Sequence, residues 1–220
     1  MPEHKLNIIL FISTQCPHCA QALELLSKAV KQGTISELKI INLAVLDSPE
    51  QYAHIRSVPF IQIGDFEFTG GLEKTELDAW INANKSKNFS SFYISTLLTD
   101  GHINQVENFI KRKPDYWLEL IKLAQDDETN MQVRIGITAI FESMSNYIPN
   151  LTEFDDIISS LILATKTKNH AIRVDLFYIL SLIFSALKDQ QQSNNTLKNF
   201  MTLALNDQSE EIKEIVAEIF

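Results

Sequence analysis

The chain has few cysteines, an excess of acidic over basic residues and no long uninterrupted apolar run. Its 220 residues include 2 cysteines, 19 lysines and arginines and 28 aspartates and glutamates, for a formal net charge of −9. Two cysteines exclude a disulfide-rich scaffold. An acidic surface repels phosphate backbones and anionic lipids, so neither nucleic acid nor a membrane is an expected partner.

No segment has the pattern of a targeting sequence. The first apolar run, Ile8–Ile12, is too short for a signal-peptide core, and Thr14, Gln15 and Cys16 follow it in place of small residues. No window approaches the roughly 18 apolar residues of a membrane span. We therefore expect a cytoplasmic protein, in which a close cysteine pair is more often catalytic or metal-binding than structural.

Strand-like and helix-like segments alternate at the start of the chain. Leu6–Ile12 is a continuous apolar run that predicts a buried strand, and Leu38–Leu46 predicts a second strand. Between them, Pro17–Val30 has helical periodicity. The face that we expect this helix to bury carries Ala20, Leu23, Leu26, Ser27 and Val30.

Four further elements complete this part of the chain. A short helix is predicted from Ser48-Pro49 to about His54, because proline favours the first helical position. Gly64-Asp65 marks the turn of a β-hairpin, and Leu72–Asn82 predicts another helix. The order β-α-β-α-β-β-α indicates a small α/β domain with a central mixed sheet.

The polar stretch Ala83–Ser91 is the best candidate for a domain boundary. From Phe92 onward the sequence has only helical periodicity. We therefore predict two domains, an α/β domain over residues 1–86 and an all-helical domain over residues 87–220.

The helical half repeats itself with a period near 40 residues. A Leu-Ala pair begins at Leu123, Leu163 and Leu203, and an apolar-basic pair recurs as Val133-Arg134, Ile172-Arg173 and Ile212-Lys213. Such a period built from helix pairs is typical of HEAT-type α-solenoids, whose units stack into one continuous core. We expect Arg134 and Arg173 to pair within the stack, and Asp126–Glu128 to act as a helix N-cap with solvated charges.

Both cysteines lie in the motif Cys16-Pro17-His18-Cys19, where a strand-like run meets a helix-like run. A cysteine at a helix N-terminus faces unpaired N–H groups and a partial positive charge, which lower its thiol pKa. We therefore expect Cys16 to cap the helix and act as nucleophile, and Cys19 to attack the resulting mixed disulfide. Pro17 fits the first turn, and His18 would favour the Cys16 thiolate.

A proline also precedes the first strand of the predicted hairpin. Pro59 at that position interrupts the strand ladder unless it has a special role. A cis Val58–Pro59 bond that faces the dithiol would be such a role. It would leave the neighbouring backbone free to pair with a substrate peptide.

Residues 5–82 resemble the thioredoxin/glutaredoxin superfamily. The resemblance rests on the strand, the Cys-Pro-His-Cys motif and its helix, on Ser57-Val58-Pro59, and on Thr69-Gly70-Gly71 before the last helix. Cys-Pro-His-Cys is typical of the oxidising thioredoxin-fold proteins of the bacterial periplasm. Val-Pro followed by Gly-Gly is more typical of glutaredoxins, which cradle glutathione beside it.

The resemblance implies a thioredoxin-like fold and a set of site residues. In that superfamily the first cysteine attacks, the second resolves, and a cis proline lies against them. Carried over, the roles are catalytic for Cys16 and Cys19, supporting for Pro17 and His18, and substrate-binding for Val58, Pro59, Gly70 and Gly71. Leu10 stands where thioredoxins carry a buried acid, and Gln15 where they carry a tryptophan.

These observations predict an enzyme, a thiol–disulfide oxidoreductase that acts on protein disulfides and needs neither metal nor bound cofactor. The helical repeats would bind a protein substrate or partner and raise its effective concentration. Two alternatives are a redox-sensing interaction module and a glutathione-linked reductase with glutathione as co-substrate. A zinc site within one chain is not expected, because zinc needs four ligands. A metal shared between two chains and an inert cysteine pair stay open.

Overall fold

The chain forms an N-terminal unit built on a β-sheet and a C-terminal unit built of helices. The computed structural model describes residues 6–47 and 49–220. The two units are Met1–Phe92 and Tyr93–Phe220. The boundary between residues 86 and 87 stays a prediction from composition.

Four strands of the described chain form one mixed sheet in the order β2-β1-β3-β4. The strands are β1 (Leu6–Ile12), β2 (Ile35–Asn42), β3 (Phe60–Ile63) and β4 (Phe66–Thr69). Strand β1 runs parallel to β2 and antiparallel to β3, and β3 and β4 form an antiparallel hairpin. The mixed sheet and the hairpin turn at Gly64-Asp65 are confirmed.

Helix α1 (Cys19–Lys31) connects the parallel strands β1 and β2, as a parallel pair requires. It buries Cys19, Ala22, Leu26 and Ala29. The predicted buried face was therefore displaced by one residue, because only Leu26 belongs to both sets. The small side chains face the sheet where the helix packs closely against it, and the larger Leu23 is only half-buried.

One side of the sheet carries the core of the N-terminal unit. Leu6, Ile8 and Leu10 alternate along β1 and are buried, as expected of side chains on one face of a strand. Helix α2 (Lys74–Lys85) contributes Trp80 to this core, and its ring lies 4.2 Å from that of Phe68 between centroids. The core thus fixes β1, which ends at Ile12, four residues before Cys16.

The connection from β2 to β3 contains two 3₁₀ turns, Leu43–Val45 and Pro49–Tyr52. The predicted strand to Leu46 was too long, because the Asn42 side chain accepts the Ala44 N–H at 3.1 Å and turns the chain. The predicted helix to His54 is only a 3₁₀ turn, and its first residue, Ser48, lies outside the described residues.

Eight helices follow in the described chain. They are α3 (Phe89–Thr99), α4 (Ile103–Arg112), α5 (Trp117–Gln125), α6 (Met131–Met144), α7 (Phe154–Ala164), α8 (His170–Asp189), α9 (Asn195–Ala204) and α10 (Glu210–Ala217). The unit boundary falls within α3. Helices α4, α6, α8 and α10 contact one another in sequence, and so do α5, α7 and α9. The C-terminal unit therefore has two helical layers.

The sequence repeat has structural counterparts at the helix starts. Helices α6, α8 and α10 begin after the N-caps Asn130, Asn169 and Ser209, and each cap accepts a backbone N–H three residues later. The acidic run Asp126–Glu128 is not the cap, because Asn130 holds that position. Asp126 instead accepts the Glu128 N–H at 3.0 Å within the turn.

Burial follows the same period. Val133, Ile172 and Ile212 are fully buried one turn after each cap. Ala124, Ala164 and Ala204 are buried as well, whereas Leu163 and Leu203 are 62% and 75% exposed. The alanine of each Leu-Ala pair is therefore packed, since a small side chain fits where two helices approach closely. The leucine is exposed in the second and third pairs, whereas Leu123 of the first pair is 8% exposed and buried.

Each repeat arginine pairs with an acid further along the chain. Arg134 on α6 binds Asp175 on α8, and Arg173 on α8 binds Asp207 in the turn before α10. The Arg173 Nε also donates to the Thr165 carbonyl at 3.2 Å. The predicted arginine pairing is confirmed, and it ties successive helices of one layer together.

Helix α8 is long and apolar enough, by length and composition, to cross a membrane. The prediction that no window of the sequence approaches a membrane span was therefore wrong on length and composition, since this segment is apolar on average although Arg173 and Asp175 interrupt it. In the structure 56% of its most apolar window is buried against the rest of the protein. Burial of this kind accounts for its composition as the central helix of the bundle.

Candidate active site

Cys16 and Cys19 are joined by a disulfide at the junction of β1 and α1, with their Cα atoms 5.4 Å apart. The two sulfurs differ in accessibility, because Cys16 is half-buried and Cys19 is 4% exposed. A reagent from solvent therefore reaches Cys16 first. Cys19 lies behind it, against the core side of α1.

The helix begins at Cys19, and His18 occupies the N-cap position without a side-chain capping bond. The prediction that Cys16 caps the helix was wrong by two residues. Pro17 and His18 form a turn in front of the helix, in which the Cys16 carbonyl accepts the Cys19 N–H at 3.4 Å. The disulfide nevertheless joins the first helical residue, where the positive end of the helix dipole favours a thiolate.

Pro17 and His18 are both exposed. They form the outer rim of the turn that carries Cys16. Their supporting role at the dithiol stays a prediction.

The Val58–Pro59 peptide bond is cis, as predicted. The Val58 carbonyl oxygen lies 3.4 Å from the Sγ atom of Cys16. In the disulfide this sulfur has no hydrogen, so the approach is a van der Waals contact. Pro59 is buried and leads directly into β3, which pairs with β1.

Gly70 and Gly71 follow β4 and are exposed. The Gly70 N–H donates to the Pro59 carbonyl at 3.2 Å, which extends the hairpin ladder by one step. Gly70 has a φ of +101°, a conformation that side chains disfavour. The structure thus brings together Cys16, Val58-Pro59 and Gly70, which are far apart in sequence.

Gln21 belongs to this site, although the sequence analysis did not identify it. Its side-chain amide donates to the Leu72 carbonyl at 3.3 Å and to the Glu73 carboxylate at 3.1 Å. It therefore ties the first turn of α1 to the segment after Gly70-Gly71. The local sequence contains no signal for this contact, because the partners are more than 50 residues apart.

An aromatic cluster supports the opposite side of the sheet near the site. Phe11 packs edge-on against Tyr52 and Phe60, with centroids 5.1 and 5.7 Å apart. His54 packs against the same Phe60 ring at 6.1 Å. Since Phe60 follows Pro59 directly, the ring contacts of Phe60 also hold the proline segment in place.

The interior next to the dithiol is apolar. Leu10, on β1 six residues before Cys16, is fully buried in the core. Within residues 6–47 and 49–220, no group of three or more histidines, cysteines, aspartates or glutamates is close enough to hold a metal ion.

No protein-family model and no curated protein matches this chain. Its function has to be argued from the site.

Proposed function

We propose that the protein is a thiol–disulfide oxidoreductase that acts on protein disulfides through Cys16 and Cys19. One observation carries the proposal: an accessible sulfur is paired with a buried one at a helix start, beside a cis-proline segment. A purely structural disulfide has no need of this asymmetry. The strand order β2-β1-β3-β4 with α1 between β1 and β2 supports a thioredoxin-like fold for the N-terminal unit.

In the reducing direction, the Cys16 thiolate attacks one sulfur of a substrate disulfide and releases one substrate thiolate. The Cys19 thiolate then attacks the Cys16 sulfur of the mixed disulfide and releases the second substrate thiolate. Two electrons pass to the substrate, whose thiolates take up protons from solvent. The protein retains the Cys16–Cys19 disulfide, which an external dithiol reduces again. In the oxidising direction the same steps run backwards.

The helical unit is proposed to be a HEAT-like stack that binds a protein partner or substrate. Its support is the agreement of the N-cap positions, the buried positions and the arginine pairs with the sequence period near 40 residues. A partner held there would meet the dithiol at raised effective concentration. Such binding would supply the specificity that a short dithiol motif lacks.

A second candidate function is a glutathione-linked reductase. The exposed backbone of Gly70 and Gly71, hydrogen-bonded beside Pro59, favours it because a tripeptide thiol can pair with such a backbone. Glutathione would then be a co-substrate and not a bound cofactor. A Cys19→Ser variant separates the two, since only a glutathione-linked enzyme keeps activity with the first cysteine alone.

The reduction potential of Cys16–Cys19 tests the proposal. The full chain is equilibrated with glutathione buffers, and the disulfide fraction is measured by thiol alkylation and mass spectrometry. A potential of about −270 to −200 mV fits a reductase and a reducing cytoplasm. One of about −180 to −120 mV fits an oxidant or isomerase and contradicts the cytoplasmic prediction. A pair that forms no disulfide at any poise overturns the proposed function.

A further inference from the structure

A groove between α6 and α8 combines exposed apolar side chains with carboxylates. Its volume is about 520 Å³, and Met131, Ile135 and Ala139 from α6 and Ala171 and Asp175 from α8 line it. It lies within the layer formed by α4, α6, α8 and α10. The dithiol belongs to the other unit, so the groove needs its own explanation.

Two large apolar residues are unusually open in this groove. Met131 is 74% exposed and Ile135 is 52% exposed. They are four residues apart on one helix and therefore lie on the same side of it. Leaving them in water forgoes the free energy that burial of such side chains provides. An occupant with its own apolar face would recover that free energy.

The cation of the groove is already paired. Arg134 is half-buried, and both its Nε and a terminal nitrogen donate to one oxygen of Asp175. Its charge is therefore offset within the groove. It is not free to attract an anionic ligand.

Glu142 on α6 and Glu107 on α4 have neutral partners instead; Glu142 lines the groove, and Glu107 lies outside its lining. Glu142 is exposed and accepts a hydrogen bond of 2.8 Å from the Tyr178 hydroxyl, and Glu107 accepts one from the Ser143 hydroxyl. The pKa of Tyr178 is raised, first by the hydrogen bond to Glu142, then by burial and by the charges of Glu142 and Glu218. This end of the groove therefore has a negative potential that the hydroxyl groups do not neutralise.

We propose that the groove binds a basic, amphipathic helical segment of a partner protein. Its apolar residues pack on Met131 and Ile135, and its lysines or arginines pair with Glu142, the lining carboxylate whose hydrogen-bond partner is a neutral hydroxyl. From Met131 to Glu142 the groove extends for about 16 Å, three helical turns, which suits the helix-in-groove mode of recognition. The proposal specifies the partner for the binding role proposed above and rests on it. It does not depend on the redox chemistry.

The test uses three fluorescein-labelled peptides of about 18 residues, added to the full chain and followed by fluorescence anisotropy. The first contains leucine, lysine and alanine, with leucine at helical i, i+3, i+4, i+7 spacing. The second has glutamate in place of lysine, and the third has the first composition in an order without an apolar face. We expect saturable binding of the first peptide alone. We also expect weaker binding at high salt, because screening shortens the reach of the carboxylates.

Matched substitutions locate the binding site. Ile135→Ser should weaken binding on the order of tenfold, and so should Glu142→Lys. Leu163→Ser changes an equally exposed apolar residue outside the groove, and Glu37→Lys makes the same charge change on β2. Neither control should alter the affinity. Because each matched pair changes solvent-exposed positions in the same way, general unfolding would affect both members.

Three outcomes overturn the proposal: absence of saturable binding, equal binding of the acidic peptide, and equal effects of Ile135→Ser and Leu163→Ser. The measurement is repeated with a Cys16→Ser, Cys19→Ser variant, in which we expect the same affinity. If the groove binds the basic peptide but Cys16 and Cys19 form no disulfide at any poise, only the oxidoreductase proposal is wrong. If the disulfide forms but the groove binds no peptide, only the groove proposal is wrong.

Discussion

The Sγ atom of Cys16 lies 3.4 Å from the carbonyl oxygen of Val58, 42 residues further along the chain. The contact exists because β1 and β3 are paired, so that the end of β1 and the start of β3 meet at one edge of the sheet. A substrate that reaches Cys16 therefore meets the Val58 backbone at the same time. The accessible sulfur and the backbone that would hold a substrate chain form one site.

The difference in burial between the two cysteines predicts opposite behaviour of two single variants. Cys19→Ser should accumulate mixed disulfides through Cys16, because no second sulfur remains to release the substrate. Cys16→Ser should accumulate almost none, since Cys19 is only 4% exposed. Non-reducing electrophoresis and mass spectrometry after incubation with intact insulin, whose disulfides are the substrate, measure both. Equal trapping by both variants would contradict the assignment of Cys16 as nucleophile.

The Gln21 side chain is predicted to hold the segment after β4 against the dithiol helix. Gln21→Glu removes the donor to Leu72 and places a carboxylate beside Glu73. Each part-exposed hydrogen bond contributes about 1 kcal/mol or less, so the fold should survive. Amide exchange of Gly70 and Gly71 should accelerate several-fold, on the order that such a loss of local stability gives.

Two further variants test whether this effect is specific. Gln32→Glu makes the same change at the far end of α1 and should leave exchange at Gly70 unaltered. Adding Glu73→Gln to Gln21→Glu restores a donor–acceptor pair and should slow the exchange again. If the double variant exchanges as fast as Gln21→Glu alone, the contact with Glu73 does not hold this segment.

Local pattern was sufficient for β1, the hairpin turn and the proline segment, because each depends on neighbouring residues, but it did not give the bounds of β2. The apolar β1, the Gly64-Asp65 turn and the cis bond at Pro59 are examples. The strand order was beyond local reasoning, since it depends on which strands pair in space. The buried face of α1 was predicted one residue off, because helical periodicity alone does not decide which of two adjacent faces packs on the sheet.

In the candidate site, too, local sequence identified some residues and missed those that depend on long-range contacts. Cys16, Cys19 and Pro59 were identified from a motif and from the peculiarity of a proline before a strand. Gln21 was missed because its partners follow β4, and the sequence contains no periodic signal for a long-range hydrogen bond. The predicted N-cap at Asp126–Glu128 failed for a local reason, since Asn130 is a competing cap residue nearer to the helix. The roles of Gly70 and Gly71 in substrate binding, the absence of a bound cofactor and the cytoplasmic location stay predictions.

Gly136 is predicted to be required for close packing of α6 against α3. A Cβ added there would lie 3.0 Å from Cδ2 and 3.3 Å from Cβ of Leu98, a side chain that is 1% exposed. Alanine gains about 1 kcal/mol of helix propensity, but overpacking costs about 1–3 kcal/mol. Gly136→Ala should therefore lower the free energy of unfolding by up to about 2 kcal/mol, measured by urea denaturation of the full chain.

A double-mutant cycle checks the physical cause of this loss. Leu98→Ala alone leaves a cavity and is destabilising, but it removes the atoms that the new methyl group would strike. Gly136→Ala with Leu98→Ala should therefore be more stable than the sum of the two single effects. An increase in stability from Gly136→Ala alone would show that helix propensity outweighs the close contact.

Asp207 is predicted to contribute to the acid stability of the helical unit. Burial raises the pKa of Asp207, but hydrogen bonds from the Ser209 N–H and from Arg173, together with the Arg173 charge, outweigh burial and hold it below its usual range. A carboxyl with a lowered pKa in the folded state stabilises the fold fully above its unfolded pKa, near 4, and loses this contribution as the pH falls through the folded pKa. Asp207→Asn should therefore cost on the order of 1 kcal/mol at neutral pH and progressively less below about pH 4.

Urea denaturation from pH 7 to pH 3 measures the difference from the unmodified chain, with Asp189→Asn as a control at an exposed position. A difference that stays constant with pH would show that Asp207 acts through its shape and not through its charge.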